Sequence, residues 1–430
     1  MNIRDINYKL SEKIFLLGIF LLASTMSIGI ILILIASIIS IYEKKENIFK
    51  DKWSKVLIFG AFLMTISCLY QTYDYSNKDL LGWDISLTWI GLLNWIPFFF
   101  LFETTKFFLL TPNQRFNVAI LLLSGSIPVL ITGFGQYFFN WEGPLSFLNG
   151  LVVWYLKPIE PHLGLSGLFS NQNYAGTWLS IIWPFSLGFL FINKNISHKK
   201  YTSILLLFLF TLAVILTTSR NALFGIFISI PFVFGIRSFL FILIIIFFLA
   251  IVSIFRSVIP FAEESLGFLF NIFPQQFVNK FSKFDFINFL EYRRIDLWNN
   301  AIKIISQKPL FGLGAAFFPI LYEFYYEPKS YTEQHTHNLF IELTASYGIL
   351  VSLTIFIFIV SLIYLSFRKL KNHEIKGKDL IIDRSWLAST SVLLISQMND
   401  ITYFDGRISI MFWIFLSGLR NIIDKKINYR

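Results

Sequence analysis

Apolar runs about as long as a membrane is thick recur along nearly the whole chain, and no other feature constrains its fold as tightly. Crossing roughly 30 Å of hydrocarbon takes about 20 mainly apolar residues, coiled as a helix because only a helix satisfies its own backbone where water is absent. Windows of this kind lie near 54–73, 85–102, 116–133, 174–192, 201–217, 221–236, 238–255, 346–367, 385–400 and 406–422. With 55% hydrophobic and only 14% charged residues over 430 positions, and a mean hydropathy of +0.65, the chain is too apolar for an ordinary soluble domain. The expected fold class is an all-α membrane protein, a polytopic bundle of about 12 transmembrane helices with a large loop between late helices.

The first apolar stretch, 14–41, sets that number. It is too long for one untilted crossing and is interrupted by Ser24, Thr25 and Ser27. Basic residues flank it on both sides (Arg4, Lys9 and Lys13 before it; Lys44, Lys45, Lys50, Lys52 and Lys55 after it), which favours a hairpin of two spans over one tilted helix. No small-residue cleavage site closes the run, so it does not read as a cleavable signal peptide.

Lys and Arg collect in cytoplasmic loops. Starting from a cytoplasmic 42–55 loop, alternation places 103–115, 193–200, Arg237, 368–384 and the basic tail inside. It places 74–84, 134–173, the Arg220 turn, 256–336 and 401–405 outside. The division that follows is 1–255, N-terminal spans with an outer segment at 134–173; 256–336, a large periplasmic loop; and 337–430, the C-terminal spans. Trp141, Trp154 and Tyr155 with Pro144, Pro158 and Pro161 mark 134–173 as interfacial or re-entrant structure. The formal charge of +10 sits between apolar runs, in the pattern of retained cytoplasmic loops, and excludes nucleic acid as a partner. The single cysteine, Cys68, allows neither an internal disulfide nor a Cys-based metal site.

Four outer stretches carry polar chemistry. Gln334-His335-Thr336-His337-Asn338 leads into a span, and a His at the mouth of a helix is either a proton acceptor near neutral pH or a solvated cap. His335, two residues from His337, is expected to point elsewhere. Thr217-Thr218-Ser219-Arg220-Asn221 is a short outer turn whose Arg must find a partner, either a phosphate, which suits its bidentate fork, or an acid or the interface. Tyr292 to Trp298 reads as helix, with Arg293 and Arg294 pointing about 100° apart so that one faces a ligand at most. It is followed by Pro309-Leu310-Phe311-Gly312-Leu313-Gly314, read as a turn because the Lys-Ser/Thr of a phosphate-binding loop is missing. In the last outer turn, Asp400 either orients the His or joins Asp405 in pairing with Arg407. Upstream, Asn171 and Asn173 either bind sugar hydroxyls or cap the next helix.

In order and common location, these stretches resemble the O-antigen ligase family, which includes O-antigen polymerases, over roughly residues 160–420. The family's His followed by Asn, Ser or Gln, nine residues and Gly is met by His337-Asn338 and Gly348. Its Ser-Arg turn is met by Ser219-Arg220, and its Arg before a Trp-containing helix and Pro-x-x-Gly-x-Gly by Arg294, Trp298 and Pro309 to Gly314. Its Gly-x-Phe-x-Asn-Pro-Asn appears as Gly167-Leu168-Phe169-Ser170-Asn171-Gln172-Asn173, with Gln in place of Pro.

The resemblance implies an inverting, metal-independent glycosyltransferase without cofactors, multi-pass in the bacterial inner membrane with its site facing the periplasm. It implies an undecaprenyl-diphosphate-linked glycan donor and an acceptor hydroxyl on lipid A core or on a growing polysaccharide. His337 is then the catalytic base. Arg220 and Arg294 carry the leaving diphosphate, and Arg293, Asn338, Asn173, Asp400 and Arg407 complete the substrate contacts. A repeat-unit polymerase is the alternative to a ligase, and a flippase for the same lipids the more remote one, disfavoured by spans that are almost uncharged.

Overall fold

The computed structural model describes residues 3–44, 51–76, 78, 80–159, 163–193, 195–235, 240, 293–326, 333–371 and 377–424. The expected span at 238–255 and the loop up to residue 292 lie outside these residues.

The chain begins with a helical hairpin, α1 (Ile3–Leu21) and α2 (Met26–Lys44), as the flanking charges predict. α3 (Lys52–Tyr75) crosses next, capped by Asp51, whose carboxylate accepts the Ser54 N–H at 2.9 Å. The following crossing is broken into α4 (Ser86–Ile90), a single 3-10 turn, and α5 (Ile96–Thr105). α6 (Pro112–Gly125) and α7 (Ile127–Phe139) form another broken crossing, jointed at Ser126 before Pro128. The outer segment therefore starts at residue 140 rather than 134. It contains a small antiparallel hairpin, β1 (Leu145–Phe147) with β2 (Val152–Trp154), tied to the α1–α2 turn where the Trp154 Nε1–H donates to the Ser24 carbonyl at 2.8 Å.

α8 (Gln172–Ile192), α9 (Ser197–Leu216) and α10 (Arg220–Phe234) follow, then α11 (Arg293–Ile305) and α12 (Phe318–Tyr326), in the stretch expected to be outside. α13 (Leu339–Tyr347) runs through Gly348 into α14 (Ile349–Lys371), and α15 (Lys378–Asn399) and α16 (Gly406–Asp424) close the bundle. Among the described residues eight helical stretches are long and apolar enough to cross a membrane. α10 is shorter, and α15 is too polar for that measure. Yet α15 is buried along almost its whole length, packed on α8, α10 and α6. Its neighbours are protein rather than lipid, so Ser385, Ser389, Thr390 and Ser391 are tolerated there.

Loops expected to share a side do meet. At one end, Arg115 makes a bidentate pair with Asp383 at 2.7 and 2.8 Å, both fully buried, and Arg420 bonds Glu103 at 3.0 Å and pairs with Asp51. All of these residues but Arg420 lie in stretches read from the sequence as loops, and each is partnered. At the other end, Asp74 pairs with Lys308, and Gln71 donates to the Phe311 and Ser346 carbonyls at 2.6 and 2.9 Å. Here α11, α12 and the 76–85 loop share a second apolar core, in which Trp83 stacks on Phe317 at 4.5 Å. The outer helices are thus a cap fastened to the end of the bundle that holds His337.

Candidate active site

The cap is joined to the bundle where two glycines abut. Gly348, at φ +90°, separates α13 from α14, and a Cβ there would lie 2.0 Å from the Leu310 carbonyl. Gly312, at φ +73°, comes so close to the Gly348 amide that its own Cβ would lie 2.7 Å away. The Pro309–Gly314 turn and the Gly that follows His337-Asn338 are therefore two sides of one backbone contact, sealed by the Ile349 N–H donating to the Pro309 carbonyl at 2.8 Å.

At the other end of α13, Asn338 caps the helix, accepting the Phe340 and Ile341 amides at 3.0 and 3.1 Å. Its own amide donates to the Met398 carbonyl near the end of α15 at 3.0 Å. That bridge sets His337 beside Asp400, the first residue beyond α15. Helix geometry starts at Leu339, not at His337. His337 instead adopts φ +55°, and the chain doubles back so that the His335 and His337 rings meet at 4.2 Å and His337 N–H donates to His335 Nδ1 at 3.3 Å. The expectation that His335 points elsewhere is corrected by this turn. Thr336 between them is clamped: its N–H donates to the buried Glu342 at 3.0 Å, and its carbonyl accepts the Trp298 indole at 2.9 Å.

His337 Nδ1 lies 2.7 Å from Asp400 Oδ1, and Asn173 donates its amide to the other oxygen, Oδ2, at 3.0 Å. Asn173 is in place because Asn171 caps α8 by accepting the Asn173 and Tyr174 amides, both at 2.9 Å. Burial works to raise the Asp400 carboxyl, but the bond and charge of His337, with the charges of Arg294 and His335, outweigh it and hold the group below the ordinary carboxylate range. A carboxylate can only accept, so Nδ1 carries the ring proton and Nε2 is the basic nitrogen. Burial, followed by the neighbouring His337 charge, pushes His335 down to about 4. It is neutral near pH 7.

The other expected residues fall into distinct places. Arg294 sits one turn before Trp298 on the same face of α11, toward the Thr336 loop, and its charge reaches both Asp400 and His335. Arg293 belongs to α11, but its side chain is outside the described residues. Arg220 opens α10 with an exposed side chain, at the same end of the bundle: Ser219 caps the helix, and Asn221 donates to Ser396, one turn before Asp400, at 3.0 and 2.9 Å. Asn338 has both ends of its amide committed to backbone. Arg407 is buried, paired with Asp405 at 2.5 Å and lying 3.7 Å over the Phe169 ring. It holds the last turn against the 164–171 loop.

Sequence reasoning did not single out Glu333 or Glu342. Glu342 stands in an otherwise apolar run, which marks it; nothing local marks Glu333, whose carboxylate lies 3.5 Å from His337 Nε2. His335, His337 and Asp400 also offer three potential ligand atoms within 4.8 Å of one another. Of these contacts, the one between His337 Nδ1 and Asp400 is already a hydrogen bond, while His335 Nδ1 accepts from the His337 backbone amide rather than from its ring.

Residues 205–356, which contain Arg220, Arg294, His337 and Gly348, match the family model described as O-Antigen ligase. This segment is O-antigen ligase-like. The resemblance read from the motifs is thereby borne out over this segment. No curated protein matches the chain.

Proposed function

We propose that this O-antigen ligase-like protein moves a glycan from a polyprenyl diphosphate, of the undecaprenyl type, to a hydroxyl of lipid A core or of a growing polysaccharide on the periplasmic face of the inner membrane. The observation that carries the reading is the 2.7 Å contact of Asp400 with the Nδ1 of His337, a residue inside the segment that matches the family model. With Nδ1–H held by Asp400, His337 Nε2 takes the proton of the acceptor hydroxyl as its oxygen attacks the anomeric carbon. The bond from that carbon to the diphosphate oxygen breaks, and the polyprenyl diphosphate leaves with the electron pair. Attack opposite the leaving group inverts the anomeric configuration. Arg294, whose charge already reaches the dyad, and Arg220, at the same end of the bundle, meet the charge that grows on the diphosphate. Asn173 and Asn338 act through Asp400 and the backbone and are positioning residues.

The test is a reconstituted transfer assay with defined lipid-linked glycan. Product carrying a single attachment of inverted configuration on a lipid acceptor supports a ligase. Stepwise chain extension makes the protein a polymerase with the same chemistry. Movement of the lipid across the bilayer without bond exchange would overturn the proposal in favour of a flippase.

A further inference from the structure

The segment after α7 carries more exposed apolar surface than a water-facing loop normally does. Phe139, Trp141, Leu145, Phe147, Leu148 and Leu151 are all exposed, Phe139 at 72% and Leu148 at 66%. Between Phe138 and Leu156 the one charged residue is Glu142. The β1–β2 register puts Leu145 and Phe147 on the same face as Val152 and Trp154, yet every residue of β1 is exposed. A lone two-stranded hairpin is marginal in water, and contiguous apolar patches of this kind mark surfaces that something covers.

What covers this one follows from where it starts. α7 is the last part of a 28-residue apolar crossing, Pro112–Phe139, and Phe138 and Phe139 close it with exposed side chains. The patch continues directly from them. Trp141 folds back onto α7, where a Cβ on Gly135 would run into its indole, and Trp154 is held on the α1–α2 turn. Trp141, Trp154 and Tyr155 are rings of the kind that gather at a membrane–water boundary. Strands of three residues reach only about 10 Å, enough for the boundary between headgroups and acyl chains and too little to re-enter the hydrocarbon.

We propose that the β1–β2 hairpin is an interfacial anchor whose tip, Phe147 and Leu148, inserts into the lipid leaflet on the side of the dyad. The anchor is tied to the site. The Leu156 N–H donates to the Gly167 carbonyl at 3.0 Å, and Gln136 on α7 accepts the Ser166 and Gly167 amides at 3.0 and 2.8 Å. Gly167 lies in the loop that leads to Asn171, the cap that sets Asn173 beside Asp400. Lipid contact at the hairpin therefore fixes the height of that loop relative to the headgroups.

The experiment uses the full-length protein in nanodiscs, with Leu148→Cys carrying an environment-sensitive NBD label and Cys68 left in place because it is fully buried. Lys78→Cys, in the loop after α3, is the water-exposed control. The label at position 148 should emit to the blue of the control, be quenched by lipids that carry a doxyl group near the headgroup, and resist iodide. Adding Phe147→Ser and Leu151→Ser should abolish the blue shift and admit iodide. Iodide quenching at position 148 as strong as at position 78 would put the tip in water and overturn the inference. Protection from iodide and doxyl lipid alike would overturn it too, since the tip would then be covered by protein, either a second copy or another part of this chain. None of these readouts involves glycan transfer, so the anchor and the proposed chemistry stand or fall separately.

Discussion

In the proposed transfer the residue that decides the chemistry is His337, and its neighbours divide the work unequally. A positioned base contributes typically 10²- to 10⁴-fold, roughly 3 to 5 kcal/mol of barrier. His337→Ala should lower glycan transfer by that order while donor lipid still binds, because Arg220 and Arg294 sit on other elements. Loss of donor binding together with transfer would make His337 a diphosphate ligand instead. His335 should answer to a different measurement. Its folded form resists protonation until about pH 4 whereas an unfolded His takes a proton near 6.5, so the unfolded chain binds more protons between those values. Stability should therefore fall as pH drops from about 6.5 toward 4, by at most about 3 kcal/mol from this group. The depressed Asp400 carboxyl adds nothing in that window, since its contribution is lost only below the ordinary carboxylate range. Melting curves in detergent at pH 7 and pH 5 should show the drop, and His335→Gln should shrink it; an unchanged drop in that variant would assign it to other groups.

At the scale of elements, the motifs mark joints as much as chemistry. Gly348 holds φ +90° with the Leu310 carbonyl where a Cβ would go, so Gly348→Ala meets both backbone strain and a clash between the cap and α13–α14. The variant should melt at a distinctly lower temperature, with donor binding and transfer lost in parallel on warming. A normal melting temperature would show that the contact yields easily and that this glycine serves something else. The apolar windows, the N-terminal hairpin, the α11 helix and the Pro309–Gly314 turn were legible in the sequence because each is written in local periodicity or turn chemistry. What was not legible depends on distant partners. Asn173 read equally well as a sugar ligand, and only the arrival of Asp400, 227 residues away, makes it a positioning group. The left-handed turn at His337 and the approach of Glu333 have no local signature. The 385–400 window found α15 but not its central place, because hydropathy measures affinity for lipid and this helix touches mostly protein.

At the scale of the molecule, the two ends of the bundle differ in kind. Asp51, Glu103, Arg115, Asp383 and Arg420 interlock at one end, beside the basic residues Arg368, Lys369 and Lys371 that close α14. The other end holds the cap, the β-hairpin, Asn173, His337 and Asp400. On the proposed orientation, with positive charge retained in the cytoplasm, the first end faces inward and the dyad faces the periplasm. Cys68 is fully buried and serves as a silent background for labelling. Lys78 in the outer loop after α3 has a side chain 52% exposed, and Lys371 at the end of α14 is exposed as well. In intact cells a membrane-impermeant maleimide should modify Lys78→Cys, and should reach Lys371→Cys only after permeabilisation. The opposite pattern would turn the dyad toward the cytoplasm, and His337 would then face a leaflet where a polyprenyl-linked glycan awaiting periplasmic transfer does not arrive.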